Sequence, residues 1–396
     1  MIEASASRCL PEDLEQALLV GRIWDAATGG PSVVVVRGGM MFDITSTVPT
    51  VSDLLEADDP ASLARSAAGT GLGPVLAFMQ RSIEAGTPSL QASPQASPQL
   101  LAPCDLQAVK ACGVTFAVSL LERVIEEQAR GKAEDAPRIR ETITALVGTD
   151  LSRVRPGSDA ANRLKALLLE RGAWSQYMEV GLGPDAEVFT KAQPMSSVGF
   201  GAPVGLAHES RWNNPEPEVV LAVNSRGEVV GASLGNDVNL RDIEGRSALL
   251  LGKAKDNNGS CAIGPFIRLF DEDFDIDAVR QAELSLRIKG ADDGFVLQGS
   301  SRMSEISRDP LELVAQTWGR HHQYPDGFML FLGTMFSPIQ DRDADGAGFT
   351  HHLGDVVTIS TPRLGALVNT VQLSTEIAPW TFGVRDLYRY LARRRS

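Results

Sequence analysis

The chain has 396 residues, 43% of them hydrophobic, with a formal net charge of −13. That apolar content is ordinary for a globular protein, and the length favours two domains over one core. The negative balance argues against nucleic acid or an anionic membrane as a general partner, although a local cation can still recruit a small anionic substrate.

No apolar run is long enough to span a bilayer, and Met1 to Ser5 carry no basic segment leading into an apolar core, so no signal peptide is expected. Cys9, Cys104, Cys112 and Cys261 are scattered without a CxxC pair. That excludes a zinc ribbon or dithiol motif and fits reduced thiols in the cytoplasm.

In chain order, residues 10–17 read as a short helix. Three β segments follow at 20–24, 32–36 and 40–44, separated by glycine-rich turns. A helix opens at Thr50, with Thr50 or Ser52 as its cap, and another spans 74–85. These elements make a small α+β N-terminal domain over 1–103, read as a structural or dimerisation module. Its last stretch, 87–103, holds the repeat Gln91-Ala92-Ser93-Pro94-Gln95-Ala96-Ser97-Pro98. Such a repeat cannot build a core and favours extended backbone. The boundary with a second domain, 104–396, is placed there.

A short strand at 109–116 precedes a helix at 117–130, with Val118, Leu121, Val124 and Ile125 on one face. Two more helices are expected at 135–147 and 159–171. The stretch that organises the chain is Trp212-Asn213-Asn214-Pro215-Glu216-Pro217-Glu218, followed by Val219-Val220-Leu221. In a strand, Glu216 and Glu218 project to the same face. Two carboxylates held side by side do not both stay ionised unaided. A divalent cation resolves that conflict, and oxygen-only ligands suit Mg²⁺, Mn²⁺ or Ca²⁺.

Ser225-Arg226-Gly227 reads as a turn, and the returning run ends in Gly235-Asn236-Asp237. A hairpin therefore brings Asp237 back beside the two glutamates. Lys255 would add the positive charge that three carboxylates still lack once a divalent ion is bound.

Further on, 284–288 and 295–299 form a hairpin. Asp309 caps a helix over 309–320. His321-His322 at its end suit a helix C-terminus better than a metal, because adjacent histidines point apart. An apolar strand at 328–332 runs into Gly333-Thr334-Met335-Phe336. Strands at 356–360 and 365–371 and a helix at 384–394, ending in Arg393-Arg394-Arg395, complete the chain.

The E-x-E, the N-D-V-N-x-R-D and the lysine six residues before Cys-x-x-Gly-Pro resemble the fumarylacetoacetate hydrolase superfamily. The resemblance covers roughly residues 105 to 396. Over its whole length the chain resembles a bacterial branch that includes 2-keto-3-deoxy-pentonate dehydratases. It implies a β-rich α+β fold, with a mixed β-roll or barrel catalytic domain. It also implies a cytoplasmic homodimer or larger homo-oligomer, and Glu216, Glu218 and Asp237 as ligands of Mg²⁺ or a similar ion.

The family's G-x-N-Y-x-x-H-x-x-E appears here with Gly113, Phe116 and Glu122 in frame, Thr115 for the Asn and Ser119 for the His. In hydrolytic relatives that His and Glu activate water, and serine is no base near pH 7. Glu122 otherwise reads as a solvated helix residue, and Glu187 as a surface strand residue. Some dehydratases of the family use a Glu near the position of Glu187.

Lys191 and Ser197 are expected along the pocket, and Thr334 on the substrate carboxylate. Arg241 is expected either as a clamp on substrate or as a partner of the carboxylates. The implied activity is dehydration of a 2-keto-3-deoxy-pentonate to 2-oxoglutarate semialdehyde through a metal-stabilised enolate. Lys255, Glu122 and Glu187 share the acid and base roles. The alternatives are C–C hydrolysis of a 2,4-diketo acid and a non-catalytic protein that binds metal and sugar acid.

Overall fold

The computed structural model describes residues 6–85, 99–147, 154–170, 174–344 and 348–394. The Gln/Ala/Ser/Pro repeat at 91–98, the Met1 to Ser5 segment and Arg395 lie outside them.

The Pro217–Val223 strand is buried at every position. Its sequence, Pro-Glu-Val-Val-Leu-Ala-Val, has no polar alternation beyond Glu218, as expected of a strand covered on both faces. It pairs antiparallel with Val229–Asp237 on one side and with Phe328–Phe331 on the other. These three lie within an 11-stranded sheet. From one end its order is Thr70–Pro74, Met40–Asp43, Gly30–Arg37, Leu19–Asp25, Cys261–Leu269, Val229–Asp237, Pro217–Val223, Phe328–Phe331, Ala108–Gly113 and Glu187–Ala192. Gln99–Leu101 adds to Leu19–Asp25. A second sheet of five strands contains the expected hairpin, Glu283–Lys289 with Val296–Arg302. The class is therefore sheet-rich α+β. Among the described residues the main sheet is open, with Thr70–Pro74 and Glu187–Ala192 at its ends, and is not a closed barrel.

The sheet does not break at residue 103. Leu19 and Val20 pair with Arg268 and Ile267 on the strand that follows Lys255. The Arg268 guanidinium, itself buried, forms a two-pronged ion pair with Asp13. Residues expected in a separate small domain thus share the hydrogen-bonded sheet that carries the acidic cluster. Residues 10–17 also differ from expectation. They form turns after a short 3₁₀ helix at Ala6–Cys9, and no α-helix. The strand expected over 109–116 stops at Gly113 because Val114 adopts φ +47°. The helix that follows spans Ala117–Ala129.

Glycine at 235 is dictated by packing. It lies opposite Glu218 in the hairpin register. A Cβ there would stand 2.2 Å from the Phe331 ring and 2.5 Å from Val220 Cγ2. Both neighbours are fully buried and cannot yield cheaply. Overpacking of this kind costs about 1–3 kcal/mol. Gly235→Ala is therefore expected to lower stability by that amount in urea unfolding with an unchanged m value. An unaltered midpoint would contradict the tight packing beneath Glu218.

Candidate metal centre and active site

The hairpin turn and strand pairing set the three carboxylates before any ion is considered. Glu216 stands one residue ahead of its strand. Its carbonyl accepts from the Asp237 N–H at 3.1 Å, and its own N–H donates to Asn236 Oδ1 at 3.1 Å. Glu218 pairs opposite Gly235, and Asp237 closes the returning strand opposite Cys261. One oxygen from each of Glu216, Glu218 and Asp237 lies within 4.8 Å of the others. All three residues are at most 2% exposed.

Cations approach this cluster from several elements. Lys255 Nζ lies 2.6 Å from Glu216 Oε2 and 3.1 Å from Asp237 Oδ2. Lys191 Nζ lies 2.7 Å from Asp237 Oδ1. Arg123 makes a very close contact with Glu216 Oε1. Glu218 has no ion pair among the described residues. The Gly333 N–H donates to its Oε2 at 2.7 Å, while its Oε1 is buried without a hydrogen-bond partner.

The charges respond accordingly. Burial, reinforced by Asp237 and Glu216, pushes the Glu218 carboxyl well above the ordinary range. Glu216 is also raised, because its burial outweighs Arg123 and Lys255. Burial opposes ionisation of Asp237 too, but Lys191 and Lys255 pull its carboxyl below the usual value. Burial alone would lower Lys255, yet Asp237, Glu216 and Glu244 hold it above an ordinary lysine. A buried carboxylate oxygen with no partner, in an all-oxygen donor set, fits a hard divalent ion. Glu216, Glu218 and Asp237 are the residues to hold it.

The other expected site residues fall into distinct places. Lys191 is fully buried, with its ammonium between Asp237 and the carbonyls of Val238 and Lys255. It therefore orients Asp237 and has no face left for a pocket, contrary to expectation. Ser197 is buried, and its hydroxyl donates to Cys261 Sγ at 3.3 Å. Burial pushes that thiol up to about 12, so it stays protonated. Thr334 directly follows the glycine that holds Glu218, and its own hydroxyl donates to the Phe336 carbonyl at 3.3 Å.

Arg241 stacks over Trp212, 4.9 Å from the ring centroid. It ion-pairs with Glu126 at 2.6 Å and Glu122 at 3.3 Å. It is thus a partner of carboxylates on the 117–129 helix, with no ion pair to Glu216, Glu218 or Asp237 among the described residues. Glu122 is buried, not solvated, and both its oxygens accept from Arg140 at 3.1 and 2.7 Å.

Glu187 differs from Glu122. It is half-buried, and its side chain forms no hydrogen bond or ion pair among the described residues. Burial, helped by the charge on Glu244 and opposed by Arg123 and Lys255, raises its carboxyl to about 7. It pairs opposite Gly113, where a Cβ would fall 1.8 Å from Glu187 Oε2. Only glycine lets that carboxylate lie against the backbone.

Sequence reading missed Arg123, Glu126 and Glu244. Arg123 NH1 lies 2.5 Å from Glu126 and 3.2 Å from Glu244. The face of the helix thought to be solvated is thus buried at Glu122, Arg123 and Glu126, while Val118 is 56% exposed. Two like-charged residues four apart with a cation between them read as a surface pattern. The available signal was that the Gly113–Glu122 motif runs from the preceding strand into this helix.

A second acidic group, Asp292 and Asp293 with His352, also comes within coordinating distance. Those two carboxylates are exposed. They are already paired, Asp293 with Arg342 at 2.8 Å and Asp292 with His352 at 3.0 Å. None of the described clefts is lined by Glu216, Glu218 or Asp237. One of about 210 Å³ is lined by Arg140, Trp212 and Arg241, at the outer end of the chain of ion pairs that leads through Glu126 and Arg123 to Glu216.

Residues 178–372 match the family described as fumarylacetoacetate (FAA) hydrolase C-terminal. A probable 2-keto-3-deoxyxylonate dehydratase of Haloferax volcanii is 33% identical over 195 residues, 49% of this chain and 63% of that protein. A 2-dehydro-3-deoxy-D-arabinonate dehydratase of Saccharolobus solfataricus is 30% identical over 191 residues, 48% of this chain and 60% of that one. The match thus spans less than two thirds of either relative.

Among solved structures, 2-keto-3-deoxy-D-arabinonate dehydratase in its apo form superposes with a TM-score of 0.60 at 19% identity, covering 90% of this chain and 99% of the other. The same enzyme complexed with magnesium and 2,5-dioxopentanoate gives 0.59 with the same coverage and identity. At these identities the structures establish the fold. The matched segment contains all three clustered carboxylates and Lys255, and residues 178–372 of this chain are similar to the fumarylacetoacetate hydrolase C-terminal family.

Proposed function

We propose that the chain is a divalent-metal-dependent dehydratase of a 2-keto-3-deoxy-pentonate. The observation that carries this reading is the convergence of Glu216, Glu218, Asp237 and Lys255 in a buried cluster, with an unpaired carboxyl near neutrality, Glu187, coupled to it through charge. The names of the two relatives support the substrate class, and the ligands of the magnesium complex support the ion and the product class. With the reading come a small 2-oxo acid as partner, Mg²⁺ as the ion, a cytoplasmic setting and a homo-oligomeric chain.

When bound, the ion supplies Lewis-acid polarisation of a ketone oxygen. The chain's own groups must move one proton and release one hydroxyl. The C3–H and C4–O bonds break, a C3–C4 double bond forms, and the proton leaves with the hydroxyl as water. The 5-hydroxy enone then tautomerises to the aldehyde.

Lys255, held above its ordinary pKa by Asp237 and Glu216, stays an ammonium and cannot be the base. Glu122 has both oxygens committed to guanidinium donors. Glu187, raised to about 7, is about half ionised at neutral pH, where a general base works best. It takes the C3 proton and returns it to the departing C4 hydroxyl. Lys255 donates to the carboxylates and holds positive charge beside the developing oxyanion. Hydrolysis of a C–C bond is the weaker reading. Ser119, standing where the hydrolytic relatives have histidine, is buried and donates to the Phe116 carbonyl at 2.8 Å.

The purified chain with Mg²⁺ is expected to convert at least one 2-keto-3-deoxy-pentonate stereoisomer to 2,5-dioxopentanoate, with loss of activity in EDTA and recovery on adding Mg²⁺. No semialdehyde from any stereoisomer, or pyruvate from a 2,4-diketo acid, would contradict the reading. The Glu187 role also fixes a sign. Its active form is the carboxylate, so kcat/KM at saturating Mg²⁺ should climb as pH rises through about 7. Glu187→Gln should lower kcat by about 10²-fold or more and abolish that limb. A limb that survives the substitution would exclude Glu187 as the base.

A further inference from the structure

The hydrogen-bonded register fixes which side chains share a face with the acidic cluster. Glu218 and Val220 are two residues apart on one strand and project together. Across the sheet Val220 stands opposite Phe331, Phe331 opposite Ala111, and Ala111 opposite Phe189. One step along the same strands, Gly113 stands opposite Glu187. Phe189 and Glu187 therefore lie on the Glu218 face, on the end strand Glu187–Ala192. That strand meets the cluster again through Lys191, whose Nζ lies 2.7 Å from Asp237 Oδ1.

Two features single out Phe189. Its ring centroid lies 5.8 Å from Lys255 Nζ, within cation–π range, and that ammonium is the one paired with Glu216 and Asp237. Phe189 is also half-buried, as is Glu187, whereas Val220, Phe331, Ala111 and the three carboxylates are buried. The accessible end of the apolar row is thus an aromatic ring beside both Glu187 and Lys255.

We propose that Phe189 is a specificity-determining residue whose ring packs against C3 of the bound 2-oxo acid and selects substrates with no hydroxyl on that carbon. The inference rests on the 2-oxo acid binding proposed above and not on dehydration.

The reason is hydrogen bonding. C3 is the carbon that Glu187 must reach, and Phe189 is two residues from Glu187 on the same face. A phenyl ring offers a hydroxyl no conventional donor or acceptor. Of the three ammonium donors of Lys255, two go to Glu216 and Asp237, and the third is left for the 2-oxo oxygen. Thr190, between Phe189 and Lys191, projects to the other face, where it accepts from Lys110 at 2.9 Å. A hydroxyl on C3 would therefore lose water against the ring and gain no partner, which weakens binding by about tenfold or more. A methylene gains apolar contact there instead.

Calorimetric titration of the full chain with pyruvate and with hydroxypyruvate, at saturating Mg²⁺, tests this without requiring turnover. The two acids differ by a hydroxyl on C3. The wild type is expected to bind pyruvate more tightly than hydroxypyruvate by about tenfold or more. Phe189→Ser, which supplies a hydroxyl, should narrow that ratio by about fivefold or more. Phe189→Leu, which keeps an apolar surface, should leave it within about twofold. Comparing variants cancels the intrinsic difference in hydration between the two acids.

A wild type that binds both acids equally, or a folded Phe189→Ser with an unchanged ratio, would overturn the proposal. If that variant fails to fold, a crystal structure of the wild type with Mg²⁺ and pyruvate decides. C3 within about 4.5 Å of the ring supports the proposal, and C3 turned away from it contradicts it. Failure of both acids to bind would overturn the 2-oxo acid reading and this inference together. Absence of dehydration with the ratio intact would sink the activity proposed above and leave this inference standing.

Discussion

The centre of this molecule is an electrostatic conflict. Three carboxylates meet within 4.8 Å, away from water. At an effective dielectric of about 20, each like-charge pair at that distance costs about 3–4 kcal/mol. An exposed ion pair returns at most about 1 kcal/mol, so surface charges cannot offset it. What offsets it is buried: Lys255, Lys191 and Arg123 in direct contact, with Glu218 left to burial and a single backbone donor. The raised Glu216 and Glu218 and the lowered Asp237 show that the compensation is uneven. A divalent ion would supply the charge that this arrangement lacks at Glu218.

That conflict explains features that otherwise look unrelated. The 117–129 helix buries its charged face because its partners are there: Glu122 meets Arg140 and Arg241, and Arg123 meets Glu216 and Glu244. Ser119 on this helix takes no part in these ion pairs, its hydroxyl donating to the Phe116 carbonyl. Glu187 lies against Gly113, a place that depends on the missing Cβ. The N-terminal strands matter as well. They brace the Cys261–Leu269 strand, which pairs with Asp237.

The acidic hairpin was legible because its information is local. Alternation along a strand puts Glu216 and Glu218 together, and a turn with a returning run brings back Asp237. Most elements of the second half were readable for the same reason, from periodicity, caps and glycine turns. Asp309 and Thr50 do cap their helices. What failed was non-local. Arg123 reaches Glu216 across 93 residues and Arg241 reaches Glu126 across 115, so nothing in either segment reveals the partner. Lys191 was expected to face a pocket because its strand leads to the cluster. Which side of Asp237 it takes depends on the neighbouring strands. The pairing of residues 19–20 with 267–268 joined two stretches that composition alone had separated at the Ser-Pro repeat.

The central claim is that Glu216, Glu218 and Asp237 hold one hard cation. Anomalous diffraction from crystals of the full chain soaked in Mn²⁺ tests it most directly. The account predicts a single strong peak in contact with one oxygen of each of these three residues. A peak confined to Asp292, Asp293 and His352, or no peak between the three buried carboxylates, would contradict it.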